Sequence, residues 1–352
     1  MIYTKQKYYE SGDKFAKLLM SKLKKQQADN SIYKIRDPNS KRCVYKQSEI
    51  KQAFQSYYKQ LYTQPKLKDR QQIKGFLEQL NLPVLQDNQN QRLVANITER
   101  ELSYAISKLK ANKSPGPDGF TSEWYKKFKL ELSPFLLQIF NLALKEGKMP
   151  PSWKQATISV IHKEGKDRLN CSSYRPISVL NIDYKLFTSI LSKRIQGILP
   201  QLISTDQTGF IPQRQTHDNI TRTLHILNQI KKHQIQAAVI SLDAEKAFDS
   251  VSWAFLYRVL ERFGFHSDFV KVIEALYTKP TAQIKINGNL SNTIELERGT
   301  RQGCGLSPLL FALYIEPLAQ LIRQTNRIKG IHISGDIHKV ALYADDVLLY
   351  IS

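Results

Sequence analysis

The sequence predicts an α+β fold, and three observations carry that prediction. Apolar residues recur at helical spacing through much of the chain, with caps and stops at the ends of the stretches. Near the C-terminus two apolar runs of strand length, Ala341–Ala344 and Val347–Tyr350, bracket Asp345 and Asp346 and read as a hairpin with both acids at its tight turn. A buried-type strand, Ala237–Leu242, runs straight into Asp243.

Two carboxylates in an otherwise apolar element repel each other and are costly to desolvate, so a cation suits them. The two acidic sites converge only if their strands are neighbours in one sheet. Together they would make an oxygen-ligand site suited to Mg²⁺. Two such ions roughly 3.5–4 Å apart activate a primer hydroxyl and stabilise a leaving pyrophosphate, the chemistry of a nucleic-acid polymerase. Taken singly, an Asp-Asp pair is an ordinary turn and Asp243 an ordinary strand end.

The charge narrows the partner. Among 352 residues, 52 are basic and 31 acidic, a net +21. That surplus favours a polyanion. There is no apolar run of about 18 residues, and the polar start, Met1 to Lys14, lacks a signal peptide's apolar core. Nucleic acid is therefore favoured over a membrane. Cys43, Cys171 and Cys304 form no CxxC pair, which argues against zinc and for a reduced, intracellular protein.

In chain order, Phe15, Leu18, Leu19 and Leu23 mark a helix, and Ile50–Leu61 a second that carries Tyr57, Tyr58 and Tyr62 among lysines. Such a surface tracks phosphates and stacks on bases, or is simply a solvated helical face. Thr98 with Glu101 forms a capping box for a helix reaching Lys110–Asn112. Ser114–Thr121 holds two prolines and two glycines and is a fixed loop, its amides free to meet a template phosphate or simply forming a turn. Thr121 caps the next helix, and Ser133-Pro134 starts another that Gly147 stops. A strand over Trp153–Ile161 leads to a charged tip, 162–167, and Tyr174–Leu180 is a short apolar stretch. Lys163 and Arg175 are cations of the kind that grip a triphosphate, or ordinary surface charges. Asp183 caps a long helix, 206–214 is a Gly/Pro-punctuated loop with Arg214, and Asn219–Lys232 is helical. Beyond Asp243 come the Ala254–Phe263 helix stopped by Gly264, and a helix capped by Asp268. Next is a strand over 282–288 turning at Asn287-Gly288, with Thr293–Leu296 as its partner. Arg298–Phe311 is a glycine-rich basic loop, with Ser307 as cap and Pro308 at the first helical position.

From about Ile97 to Ser352 the order of motifs resembles the reverse transcriptase of non-LTR retrotransposons, the long interspersed element class. The motifs are SPGPDGFT (114–121), YRPISVLNIDYK (174–185), DQTGFIP (206–212), SLDAEKAFDS (241–250), GTRQGCGLSPLLF (299–311) and YADD (343–346). The resemblance implies a right-hand polymerase: a basic, mainly helical N-terminal extension over 1–95, a fingers-type region over 96–235, and an incomplete palm over 236–352. It implies RNA-directed DNA polymerase activity from a DNA primer on an RNA template, with dNTPs and two Mg²⁺ ions, Mn²⁺ being the alternative, in the nucleus. Asp243, Asp345 and Asp346 match the catalytic, metal-binding aspartates. Phe248, five residues after Asp243, matches the aromatic gate that excludes a ribose 2′-hydroxyl. Arg175 and Lys163 match the fingers cations on the triphosphate, and Gln302 and Gly303 the loop near the templating pair.

Three departures qualify the match. Gly305 stands where family members commonly carry proline, which predicts a less preorganised loop. His162 and Glu164 replace prolines at the fingers tip, and Glu164 sets a negative charge on the triphosphate path. The sequence ends just after the catalytic hairpin, so the expectation is an absent thumb and primer grip, no endonuclease domain, and the strand Val347–Ile351 near an open sheet edge. The alternative function is a catalytically inactive remnant that only binds nucleic acid.

Overall fold

The computed structural model describes residues 31–65, 70–333 and 335–352. The helix read around Phe15 to Leu23 lies outside them. The chain divides into two compact units, Met1–Tyr57 with Val160–Arg175 and Ile284–Asn292, and Tyr58–Ser159 with Pro176–Gln283 and Thr293–Ser352. No helix of the described residues is long and apolar enough to cross a membrane.

In the first unit a short hairpin, Ile35–Arg36 against Cys43–Val44, precedes the helix Gln47–Tyr62. The Asn-Gly turn forms as the sequence predicts. Asn287 and Gly288 take φ of 48° and 84°, and Ile286 pairs with Asn289 across them. Pairing continues to Ser291, whose hydroxyl accepts the Ile284 N–H and whose own N–H donates to the Ile284 carbonyl at 2.9 Å. In the second unit Ile294–Glu295, within the expected partner 293–296, pairs with Thr281–Ala282.

The second unit is rich in helices and, beside the short hairpin Ile331–Ile333 with Asp336–His338 and other strand segments, holds a three-stranded sheet. Its order is Val340–Tyr343, Asp346–Ile351, Ala238–Asp243, all antiparallel neighbours. The period-two alternation of these strands sends Ala341 and Tyr350 to one face, against Ile226 of the helix Thr216–His233. Val340, Leu342 and Val347 go to the other, against Ala319 and Ile322 of the helix Ser307–Gln324. Asp346–Ile351 is the central strand, one strand in from the open edge rather than at it. The exposed edge is Ala238–Asp243, all six residues of which face solvent.

Local signals fix some helix ends, and tertiary partners displace others. The Thr98 capping box is present in full, and Thr121 accepts from the Trp124 N–H. By contrast, one helix spans Lys129–Glu146 with Pro134 inside it, and the Ser133 hydroxyl donates to the Lys129 carbonyl. Asn181 precedes the helix Ile182–Gln196, while Asp183 sits in its first turn and accepts from Trp153 Nε1 at 2.7 Å. Trp153 lies in a 3₁₀ turn before the strand Gln155–His162. His266, not Asp268, caps the helix Ser267–Leu276. Ser307 is already helical and donates to the Arg301 carbonyl. Tyr58 and Tyr62 are buried, so neither belongs to an exposed stacking surface. In the 114–121 loop the amides of Asp118, Gly119 and Phe120 have internal acceptors.

Candidate active site

The sheet register sets the three acids side by side. Asp243 ends its strand directly opposite Asp346, the first residue of the central strand. Asp345 occupies the second position of the two-residue turn Ala344–Asp345, so only one of the two adjacent acids lies in the turn itself. Cross-strand neighbours have Cβ atoms about 4.5–5.5 Å apart, and like charges so placed repel. Asp345 is half-buried; its pKa is raised by that burial, and the charges of Asp346 and Asp243 push the same way. Among the described residues no three His, Cys, Asp or Glu side chains form a ready-made metal cluster. The donor set is nevertheless all carboxylate oxygen, the chemistry that suits Mg²⁺ or Mn²⁺ over zinc.

Phe248 follows from a sharp reversal after Asp243. Lys246 takes φ of 53° and Ala247–Ser250 forms a 3₁₀ turn. The Phe248 ring stacks on Phe311 at 4.3 Å between centroids and meets Phe210 edge-on at 5.9 Å. It is half-buried, with its backbone carbonyl accepting the Thr300 N–H at 2.7 Å.

The glycine-rich loop is pinned despite Gly305. Gln302 donates through Nε2 to both oxygens of Asp249, at 3.1 and 3.0 Å, and its carbonyl accepts the Ser178 N–H. Gly303 has φ of 123°, and a Cβ there would stand 2.4 Å from the Ser178 carbonyl oxygen, so only glycine fits. Arg301 is buried, with its guanidinium donating to the carbonyls of Trp153 and Lys154 and lying over the Tyr184 ring. The Ser192 hydroxyl holds the Gly305 carbonyl at 3.2 Å.

Lys163 and Arg175 belong to the other unit. Lys163 sits at a tight tip where its N–H donates to the Ser173 carbonyl and Gly165 takes φ of 74°. Arg175 is exposed on the strand Tyr174–Val179. Their assignment rests on sequence resemblance alone.

Sequence reasoning missed the groups that hold the site. Asp249 is buried and accepts from Tyr62 Oη at 2.9 Å as well as from Gln302. Burial, and then the Asp249 charge, push the Tyr62 phenol well above its ordinary pKa, so it remains a donor. Tyr62→Phe is expected to cost about 1–3 kcal/mol, since it takes a donor from a buried carboxylate. Urea unfolding at neutral pH checks this, and a loss inside the roughly 0.5 kcal/mol of a surface change would contradict it. Gln207 and Thr208 of the DQTGFIP motif are likewise buried, although the sequence reading assigns them no role of their own. Their sequence signal is the motif itself, a polar pair before Gly209 in a stretch that is neither helix nor strand.

A family model described as reverse transcriptase (RNA-dependent DNA polymerase) matches residues 161–352. The chain is 36% identical over 270 residues to the transposon TX1 uncharacterized 149 kDa protein of Xenopus laevis, covering 76% of this chain and 20% of that protein. It is 30% identical over 264 residues to the Pol polyprotein of the type-2 retrotransposable element R2DM of Drosophila melanogaster, covering 75% and 24%. It is 26% identical over 282 residues to the RNA-directed DNA polymerase from mobile element jockey of the same fly, covering 78% and 29%. The chain thus spans less than a third of the length of each.

Proposed function

The chain belongs to the reverse transcriptase (RNA-dependent DNA polymerase) family, and from that premise we propose that it copies an RNA template into DNA from a primer 3′-hydroxyl. The observation that carries the reading is the direct pairing of Asp243 with Asp346 beside the turn that bears Asp345. These three residues would hold two divalent ions, which when bound activate the primer hydroxyl and stabilise the leaving pyrophosphate. The rest of the chemistry belongs to the chain's own groups. Phe248, backed by Phe311 and Phe210, is a rigid wall beside the incoming sugar and excludes a 2′-hydroxyl. Gln302 and Gly303 border the templating pair, their backbone held by Asp249 and Ser178. Arg175 and Lys163 meet the triphosphate. Residues 96–235 act as fingers and 236–352 as palm, and the element is a non-LTR retrotransposon acting in the nucleus.

Sugar choice tests both levels of the reading. With a primed RNA template, the purified chain is expected to incorporate dNTPs over rNTPs. Phe248→Ala is expected to narrow that preference by about 10–200-fold, the range one small steric group commands in a fitted pocket. An unchanged preference removes the gate assignment. Absence of template-directed incorporation by the parent removes the polymerase reading.

A further inference from the structure

The turn that carries Asp345 has an unusual residue in a demanding position. Ala344 takes φ of 57° and precedes Asp345, whose own φ is not positive. A two-residue hairpin turn with positive φ at its first central position normally takes glycine there. A residue with a Cβ pays for that conformation in strain and keeps it only when its surroundings impose it.

The surroundings are the 206–209 loop. The Gln207 side chain is fully buried and grips Ala344 from both sides of its backbone. Gln207 Nε2 donates to the Ala344 carbonyl at 3.3 Å, and Gln207 Oε1 accepts the Ala344 N–H at 3.1 Å. The same oxygen accepts the Gly209 N–H at 2.8 Å, which fixes the amide in its own loop. One residue away the loop and the hairpin exchange backbone bonds. The Leu342 N–H donates to the Asp206 carbonyl at 2.8 Å, and the Thr208 N–H donates to the Leu342 carbonyl at 3.0 Å. Asn219 Nδ2 adds a bond to that Leu342 carbonyl at 2.8 Å. The approach is so close that a Cβ on Gly209 would stand 2.2 Å from the Ala344 nitrogen. A packing contact alone would need none of this pairing; a bidentate amide on one strained residue fixes that residue's two peptide planes.

We infer that Gln207 is a positioning residue of the site, clamping Ala344 in its left-handed conformation so that Asp345 and Asp346 are presented together toward Asp243. The inference rests on the polymerase reading above. Gln207 touches neither ion nor nucleotide; it acts through the Ala344 peptide groups. Groups that orient metal-binding side chains typically change ion affinity or activity by about 10–100-fold when removed.

The test uses the full 352-residue chain, with Mn²⁺ as the binding probe followed by calorimetry, and the Mg²⁺ dependence of primer extension as the second readout. Gln207→Met keeps the buried volume and removes the amide. It is expected to need about 10–100-fold more ion in both assays, with an unchanged KM for dNTP at saturating ion. Adding Ala344→Gly to Gln207→Met is expected to restore much of the loss, because glycine adopts the turn without the clamp. Ile273→Val, in the buried face of the helix Ser267–Leu276, supplies a matched loss of melting temperature and is expected to leave ion dependence alone. If Gln207→Met does not fold, Gln207→Asn is used, its amide one methylene too short to span both Ala344 groups. Parent-like ion dependence in a folded Gln207 variant, or a shift matched by Ile273→Val, overturns the inference and leaves the polymerase reading standing. Mn²⁺ binding that ignores Asp345→Asn overturns both.

Discussion

Asp345→Asn is expected to reduce primer extension by at least about 10³-fold, the equivalent of losing several kcal/mol of metal-mediated charge stabilisation. The same substitution is expected to raise the melting temperature in metal-free buffer at neutral pH. Partial burial, with the charges of Asp346 and Asp243, lifts the Asp345 pKa above its unfolded value. A carboxyl shifted upward stabilises the fold below its unfolded pKa of about 3.9 and loses that contribution as pH rises through the folded value. At neutral pH the ionised group is therefore a burden, which asparagine removes. The gain should shrink as pH falls toward about 4. Mg²⁺ should stabilise the parent and do less for the variant, by linkage to binding. A variant that extends like the parent contradicts the metal assignment. One that melts lower than the parent in chelator contradicts the electrostatic account of the turn.

Arg323→Met is expected to remove about 3–5 kcal/mol of stability at neutral pH, because it strands two nearly buried carboxylates. Arg323 donates to Asp206 at 2.7 Å and to Glu316 at 2.6 Å, and the side chains of those acids are 14% and 3% exposed. Burial already raises the Glu316 pKa, with Asp206 pushing the same way and Arg323 opposing. Without the arginine Glu316 rises further. Its contribution then returns as pH falls, so the deficit should be smaller near pH 5 than near pH 7. Urea unfolding at the two pH values reads this directly, and an equal deficit at both contradicts it. The ion network has a functional address as well. Asp206 also accepts the Leu342 N–H through its carbonyl and precedes Gln207, so Arg323 anchors the loop that seats on the hairpin bearing Asp345.

What was legible in the sequence was what neighbours in the chain decide. The hairpin around Asp345 and Asp346, the Thr98 capping box, the Asn287-Gly288 turn and the Gly264 stop all depend on contacts a few residues apart. The aspartate convergence was legible as a condition, that the two strands be neighbours, and the register meets it. Side chains recruited by distant partners were not legible. Asp183 and Ser307 have the composition of caps, yet Trp153 Nε1 and the Arg301 carbonyl claim them. Tyr62 lies among lysines, the pattern of an exposed face, yet its partner is Asp249, 187 positions on. Gln207 reaches Ala344 across 137 positions, and nothing local to either residue announces it. The strand order had the same limit. Spacing shows that Val347–Ile351 is a strand but not that Ala238–Asp243 would take its second edge.

The most direct test of the central claim is primer extension on an RNA template by the purified chain, run with Mg²⁺ and with chelator, beside Asp345→Asn. The account predicts template-directed addition of dNTPs that stops in chelator and is lost in the variant. Salt-sensitive RNA binding without any metal-dependent extension would contradict it and leave a protein that only binds nucleic acid.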